Sequence, residues 1–404
     1  MKGVKILLGD CRETLSELPD ESVDCCVTSP PYFGLRDYGN DDQIGLEETP
    51  EAFIENMVQV FQEVWRVLKP TGTLWLNLGD SYAGSNGGHQ TNSRFRPHLN
   101  NYHEDGGKSF KRKTGNNFKP KDLIGIPWRV AFALQADGWY LRQDIIWAKP
   151  KCMPEPVKDR CTRSHEFIFM LTKNKHYFYD HEAIKEGENN RNKRDVWHIN
   201  PQSFPKAHFA VYPPELIEPC VLAGSSAKGC CADCGEPWVR AGTDQFISST
   251  GKNLDTWRPN CECHGKLVRE EVVIPPKMSQ KELLETGWGA DSKGNYGGSN
   301  LKDYESAMAQ GASDVKRRMI ESATKEKVRT MLVYHSDLPL DEHPIVPSVV
   351  LDPFGGSGTT AGVALLHGRE AILCELNPEY AEFIPDRIRS ISKVNEKIED
   401  MEWV

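Results

Sequence analysis

No stretch of this sequence approaches the roughly 20 consecutive apolar residues that a membrane-spanning helix requires, which argues against a membrane partner. The opening Met1-Lys2-Gly3-Val4-Lys5 leads straight into the strand-like Ile6-Leu7-Leu8 without a signal-peptide pattern, so a cytoplasmic protein is expected. Internal repeats are missing too. An overall basic excess is also absent: 49 Lys and Arg stand against 58 Asp and Glu, a net charge of -9, so any attraction to nucleic acid must be local. What the chain does have is cysteine. Twelve of them in a cytoplasmic protein read as reduced core residues or metal ligands rather than disulfides.

The 404 residues, 38% of them hydrophobic, suffice for one large domain with an insertion. Strand and helix signals alternate from residue 4 onward. A strand over Val4 to Leu8 precedes a helix from Arg12 to Leu18 and a strand over Val23 to Val27. Thr49-Pro50 starts a long amphipathic helix that reaches Leu68, where Lys69-Pro70-Thr71-Gly72 reads as its stop before a strand over Thr73 to Leu78. Pro127 to Ala136 is the next helix, Tyr140 to Trp147 and Glu166 to Leu171 are strands, and Pro213 to Ala223 is a further helix. The pattern resumes at Val346 with a strand to Leu351, a helix from Thr359 to His367, a strand over Glu370 to Glu375 and a final helix from Pro378. Such alternation implies an α/β fold whose mostly parallel sheet carries helices on both faces. Residues 1–224 and 344–404 form its two parts, and 225–343, rich in Gly, Ser, Asn, Lys and Glu, is read as an inserted module.

Two strand-end motifs carry the chemistry. Asp352-Pro353-Phe354-Gly355-Gly356-Ser357-Gly358-Thr359-Thr360 lies between a strand and a helix, where glycines let backbone amides approach a ligand at a helix N-terminus. The phosphate-loop alternative needs a Lys before the Ser/Thr, and Gly358 stands there instead; Gly-x-Gly-x-x-Gly spacing is likewise absent. Glu375 closes the following strand, placed to accept hydrogen bonds from a ribose. Near the other end of the chain, Thr28-Ser29-Pro30-Pro31-Tyr32 makes a stiff corner. It can present the Ser29 hydroxyl, the Pro30 carbonyl and the Tyr32 ring to one small planar amine, accepting its hydrogens and localising its lone pair.

With these residues the chain resembles the amino-methyltransferases of DNA, in the permuted β-group order found in restriction-modification and phage enzymes, where the catalytic motif precedes the cofactor motif. The resemblance covers residues 3–224 and 344–390. It implies a Rossmann-like, S-adenosylmethionine-dependent methyltransferase fold with a seven-stranded sheet. It implies that Asp352 to Thr360 hold the cofactor, that Glu375 holds its ribose, and that Asp10 lies near its adenine. His208 to Leu216, with Tyr212, would line the methionine end beside Thr28. The implied reaction is direct methyl transfer to a flipped base, with Ser29, Pro30, Pro31 and Tyr32 at the reaction centre. Ring-carbon methylation needs a Pro-Cys nucleophile, and Pro219-Cys220 falls inside an expected helix. In the family, Ser before Pro-Pro-Tyr goes mostly with the cytosine N4 amine and Asp with the adenine N6 amine, so cytosine is the expectation and adenine the alternative. A catalytically silent DNA-binding regulator and an RNA or protein-glutamine methylase are the remaining readings.

The expected partner is double-stranded DNA, with a cognate restriction endonuclease. Residues 84–121 hold eight Lys or Arg against two acids, interleaved with Phe95, Tyr102, Phe110 and Phe118. Arg94, Arg96, Lys111, Arg112 and Lys113 are candidate DNA contacts there. In the insertion, Cys231-Ala232-Asp233-Cys234 faces Cys261-Glu262-Cys263-His264, the pattern of a four-thiolate structural zinc site. The one-residue gap between Cys261 and Cys263 leaves His264 or Cys230 open as a substitute ligand.

Overall fold

The computed structural model describes residues 3–35, 43–83, 118–202, 211–240, 246–248, 257–274, 327–336, 338, 342–392 and 402–403. They divide into two compact units, 1–240 with 344–404, and 241–343. Residues 225–240 fall in the first unit. Its Cys230–Cys231 pairs antiparallel with Ile345–Val346, and Cys230 donates a 3.1 Å hydrogen bond to Asp24 in the middle of the sheet.

The first unit is built on β1 (Val4–Leu8), β2 (Val23–Thr28), β3 (Leu68–Leu78), β4 (Tyr140–Ala148), β5 (His165–Thr172), β6 (Val196–His198), β7 (Val349–Asp352), β8 (Glu370–Glu375) and β9 (Glu402–Trp403). They form one sheet in the order β9-β1-β8-β7-β2-β3-β5-β4-β6. Seven strands make its body, and the short β6 and β9 extend its edges. Only β5 runs against its neighbours. Among the described residues, seven α-helices accompany it: α1 (Cys11–Thr14), α2 (Pro50–Val67), α3 (Ile126–Ala136), α4 (Pro214–Gly224), α5 (Thr359–Leu366), α6 (Pro378–Ala381) and α7 (Ile384–Ser392). Side chains of α2 and α3 pack into one hydrophobic cluster with Leu7, Cys26 and Leu74 of the sheet. Those of α4, α5 and α7 pack into another with Ile6, Cys25 and Val27. Alternate strand residues thus enter opposite clusters, as the period of two requires.

All six residues of β2 are buried, the signature of a strand covered on both faces. Asp24 within it is satisfied by the Lys69 ammonium at 2.8 Å and the Val349 amide at 2.8 Å. On α2, Thr49 caps the N-terminus by accepting from the Ala52 amide, and Phe53, Met57, Val60, Phe61, Val64 and Val67 form the buried stripe. The expected stop at Lys69-Pro70-Thr71-Gly72 is instead the start of β3. The register moves from Val23↔Leu68 to Cys25↔Thr73, so a bulge absorbs these four residues. Pro219-Cys220 lies inside α4, as expected.

Where α4 ends, Gly224 meets the sheet so closely that a β-carbon would come within 2.6 Å of Cys25 Sγ and Thr73 Oγ1 and 2.8 Å of Trp75 Nε1. Gly224→Ala is therefore expected to destabilise the unit by about 1–3 kcal/mol, the cost of overpacking a filled core. Calorimetry that finds an unchanged melting temperature would contradict this packing.

In the second unit, Lys266–Ile274 and Lys327–His335 form an antiparallel ribbon, with Phe246–Ser248 added parallel to the latter. His264 and His343 approach edge to face, and Ser336 Oγ lies 3.0 Å from His343 Nε2. Among the described residues no helix is long and apolar enough to cross a membrane.

Candidate functional site

Because β1, β2, β3, β7 and β8 are mutually parallel, their carboxyl ends emerge along one edge, where open α/β sheets bind ligands. A cavity of about 420 Å³ opens there. Ser29-Pro30-Pro31-Tyr32 after β2 and Pro353 to Ser357 after β7 line the same cavity, although more than 300 residues separate them in sequence.

A buried carboxylate joins the two motifs. Asp352 is 1% exposed and accepts from Thr28 Oγ1 at 2.6 Å, Thr360 Oγ1 at 2.6 Å, the Tyr212 hydroxyl at 2.8 Å and the Phe354 amide at 3.0 Å. Burial pushes its carboxyl above the usual range, and these donors oppose the shift. Thr28, Asp352 and Thr360 brace the cavity wall through these bonds. Gly358 caps α5 at φ +85°, and a β-carbon there would lie 2.8 Å from Ile384 Cγ2. Pro353, Phe354, Gly355, Gly356, Ser357, Thr359 and Tyr212 do line the cavity. Burial also drives the Tyr212 hydroxyl well above its usual titration.

Glu375 ends β8 on the cavity wall. It accepts from the Gly356 amide at 2.7 Å and the Asn377 amide at 2.9 Å. Burial raises its carboxyl to about 7, with those two amides opposing and nearby Asp352 adding to the rise. Opposite it, across the Leu8↔Glu375 pair, Asp10 caps α1 and lines the cavity. Burial works to raise Asp10, but the Arg12 guanidinium and amide outweigh it and hold the carboxylate below its usual range. These are fitting surroundings for an adenosyl ligand: carboxylate acceptors just past and at the ends of adjoining strands β1 and β8, and the ring of Phe354.

On the other side, Phe33 is buried against Phe53 at a centroid distance of 5.7 Å and anchors the proline corner. The Tyr32 ring lies against Gly79, where a β-carbon would fall 2.5 Å from Tyr32 Cε2. Its hydroxyl donates to Glu166 Oε2 at 2.8 Å, lies 3.1 Å from Asn77 Oδ1, and receives the Ser29 hydroxyl at 3.4 Å. Lys149 pairs with the other oxygen of Glu166 and stands 4.0 Å over the Trp147 ring.

Asn77, Trp147, Lys149 and Glu166 line the cavity and were not singled out from the sequence. Lys149 and Glu166 sit at the ends of apolar runs, where a charge ordinarily marks solvent. Their meeting depends on the antiparallel register Trp147↔Glu166, which brings the start of β5 to the carboxyl edge of the others.

Arg94, Arg96, Lys111, Arg112, Lys113 and residues 208–210 lie outside the described residues. In the first unit, Cys231 is buried and Cys234 exposed on a turn closed by the Gly235 amide donating to Cys231 O at 2.9 Å, with Gly235 at φ +75°. Cys230, weighed as a substitute ligand, is turned toward Asp24, and burial pushes its thiol up to about 12. In the second unit, Cys261 is half-buried and Cys263 exposed.

A family model described as DNA methylase, of N6/N4 type, matches residues 23–234 and 285–386. The type II methyltransferase M.SmaI of Serratia marcescens is 49% identical over 278 residues, covering 68% of this chain and 89% of that protein. M.Cfr9I of Citrobacter freundii is 51% identical over 228 residues, covering 56% of this chain and 74% of that protein. Among solved structures, PvuII DNA methyltransferase, described as cytosine-N4-specific, aligns with a TM-score of 0.48 at 15% identity, covering 97% of this chain and 94% of that one.

Proposed function

Given that the chain belongs to the N6/N4-type DNA methylase family, we propose that it transfers a methyl group from S-adenosylmethionine to the exocyclic N4 amine of cytosine in double-stranded DNA. The observation that carries this reading is the Ser29-Pro30-Pro31-Tyr32 corner sharing a cavity with the Gly355–Ser357 loop and Glu375. Ser rather than Asp before Pro-Pro-Tyr favours the cytosine amine, following the family resemblance.

Glu375 would hold the cofactor ribose, Asp10 would lie toward the adenine, and the Gly355–Ser357 loop, without β-carbons at Gly355 and Gly356, would close around the remainder at the α5 N-terminus. When bound, the cofactor supplies an electrophilic methyl group on its sulfonium. The chain prepares the nucleophile. An exocyclic amine shares its lone pair with the ring, and accepting its two hydrogens at Ser29 Oγ and Pro30 O returns that pair to nitrogen. Tyr32, fixed by Glu166 and Gly79, offers its ring to hold the base flat. The target leaves the duplex to reach this depth, because its amine is otherwise paired. Arg94, Arg96, Lys111, Arg112 and Lys113 contribute phosphate contacts, and a cognate restriction endonuclease is the partner in the cell.

Expression in a host without DNA methylation, followed by nucleoside analysis of its genome, tests this reading. N4-methylcytosine is expected. N6-methyladenine would keep the family and overturn the base, and unmodified DNA would favour the silent regulator.

We also propose a structural zinc at Cys231, Cys234, Cys261 and Cys263, supported by the Cys-x-x-Cys-Gly turn and the second cysteine pair. Elemental analysis is expected to find one zinc per chain, lost in Cys234→Ser with a lowered melting temperature. Metal-free protein that melts identically in chelator would contradict it.

A further inference from the structure

Methylating an amine leaves a proton to be removed, and the Ser29 hydroxyl is too weak a base to keep it. The geometry points to a destination: we infer that Glu166 is the terminal acceptor of that proton, reached through the hydroxyls of Ser29 and Tyr32. This rests on the proposed placement of the target amine at Ser29.

The path is continuous and correctly oriented. Ser29 Oγ donates to Tyr32 Oη at 3.4 Å, and Tyr32 Oη donates to Glu166 Oε2 at 2.8 Å. Each hydroxyl can therefore pass its own proton on as it receives another. As nitrogen bonds to the methyl carbon, the breaking S–CH3 bond leaves its electron pair on sulfur. The N–H bond breaks toward Ser29 Oγ, the Ser29 proton moves to Tyr32 Oη, and the Tyr32 proton moves to Glu166 Oε2. The amine ends neutral and methylated, both hydroxyls end as they began, and Glu166 ends as a carboxylic acid that later releases its proton to water. An ammonium conjugated to a base ring is a far stronger acid than a carboxylic acid, so the overall transfer runs downhill.

The surroundings suit an acceptor rather than a general-purpose ion pair. Glu166 is 16% exposed and Lys149 18%, and both face the cavity. Lys149 engages Oε1 and leaves Oε2 to Tyr32, while Asn77 Nδ2 approaches Oε2 at 3.4 Å and donates to Phe167 O at 3.0 Å. The Lys149 ammonium is held in turn over the Trp147 ring. Tyr32 and Asn77 thus meet one carboxylate oxygen and Lys149 the other, which fixes Glu166 at the end of the Ser29–Tyr32 path, from where it reaches the amine only through those two hydroxyls. Glu166 is accordingly a positioning and proton-accepting residue.

The test uses the full chain, S-adenosylmethionine and unmethylated DNA in single turnover. Glu166→Gln keeps the shape and an acceptor for the Tyr32 hydroxyl but cannot take up the proton. It is expected to slow transfer about 100-fold, with the Kd values for DNA and cofactor unchanged within about threefold; Glu166→Asp recovers part of the rate. Tyr32→Phe, which breaks the path one step earlier, is expected to add little to the loss in the double variant. In mixtures of light and heavy water, the wild-type rate should bow below linear interpolation, the mark of several protons moving together. Glu166→Gln at the wild-type rate would overturn the relay, as would affinity losses that account for the whole rate loss. Wild-type protein that methylates no base amine would instead remove the reading on which the relay rests.

Discussion

Replacing Ser29 by alanine is expected to cut the single-turnover rate of methyl transfer about 10²–10³-fold while leaving the Kd for S-adenosylmethionine within about twofold. The separation follows from where Ser29 stands. It leaves the sheet after β2 and faces the cavity with a hydroxyl bonded to Tyr32, on the opposite side from the Gly356–Glu375 pair. The scaffold shared by both motifs is its neighbour Thr28, through the bond to Asp352, and that bond survives the substitution. The amine and the Tyr32 hydroxyl each lose a partner, and both lie on the base side of the cavity. Parallel rate and cofactor-binding measurements check this; loss of cofactor affinity with normal turnover of the bound fraction would remove Ser29 from the reaction centre.

Glu375 carries the complementary expectation. Its carboxyl is raised to about 7 by burial, and ribose hydroxyls need it ionised to act as an acceptor. About one molecule in ten is ionised at pH 6 and about nine in ten at pH 8, so the wild-type Kd for cofactor should fall about tenfold across that interval. Glu375→Gln should remove this dependence and bind at least about tenfold more weakly at pH 8. The cofactor's own amino group titrates equally against both proteins, so the difference between the two profiles isolates Glu375. The stability of the free protein moves the other way. The folded carboxyl keeps its proton between 4.5 and about 7 while the unfolded one has lost it, so the contribution is full below 4.5 and lost as pH rises through 7. Calorimetric titration from pH 6 to 8 checks the binding half; a flat wild-type difference profile would contradict it.

The parallel body of the sheet was legible because its strands are continuous apolar runs and its loops carry glycine and proline at places where only they fit. Thr49-Pro50 marked the start of α2 to the residue. What escaped the sequence depends on register. Lys69-Pro70-Thr71-Gly72 has the composition of a turn, yet it is accommodated as a bulge in β3 because Leu68 is buried and Gly72 leaves room: a β-carbon there would lie 2.5 Å from Leu68 Cγ. Register also hides Glu166, which meets Tyr32 only because β5 enters the sheet antiparallel between β3 and β4. Similarly, the motif spanning Asp352 to Thr360 announces a cofactor loop as a string, but only the fold separates the residues that line the cavity from Asp352 and Thr360, which hold it up.

The most direct test of the central claim, that both strand-end motifs form one centre for methylating the cytosine amine, is mass spectrometry of nucleosides after incubating purified protein with deuterated-methyl S-adenosylmethionine and unmethylated DNA. The account predicts labelled N4-methylcytosine from the wild type and almost none from Ser29→Ala despite bound cofactor. Label on any other nucleoside, or equal label from both proteins, would contradict it.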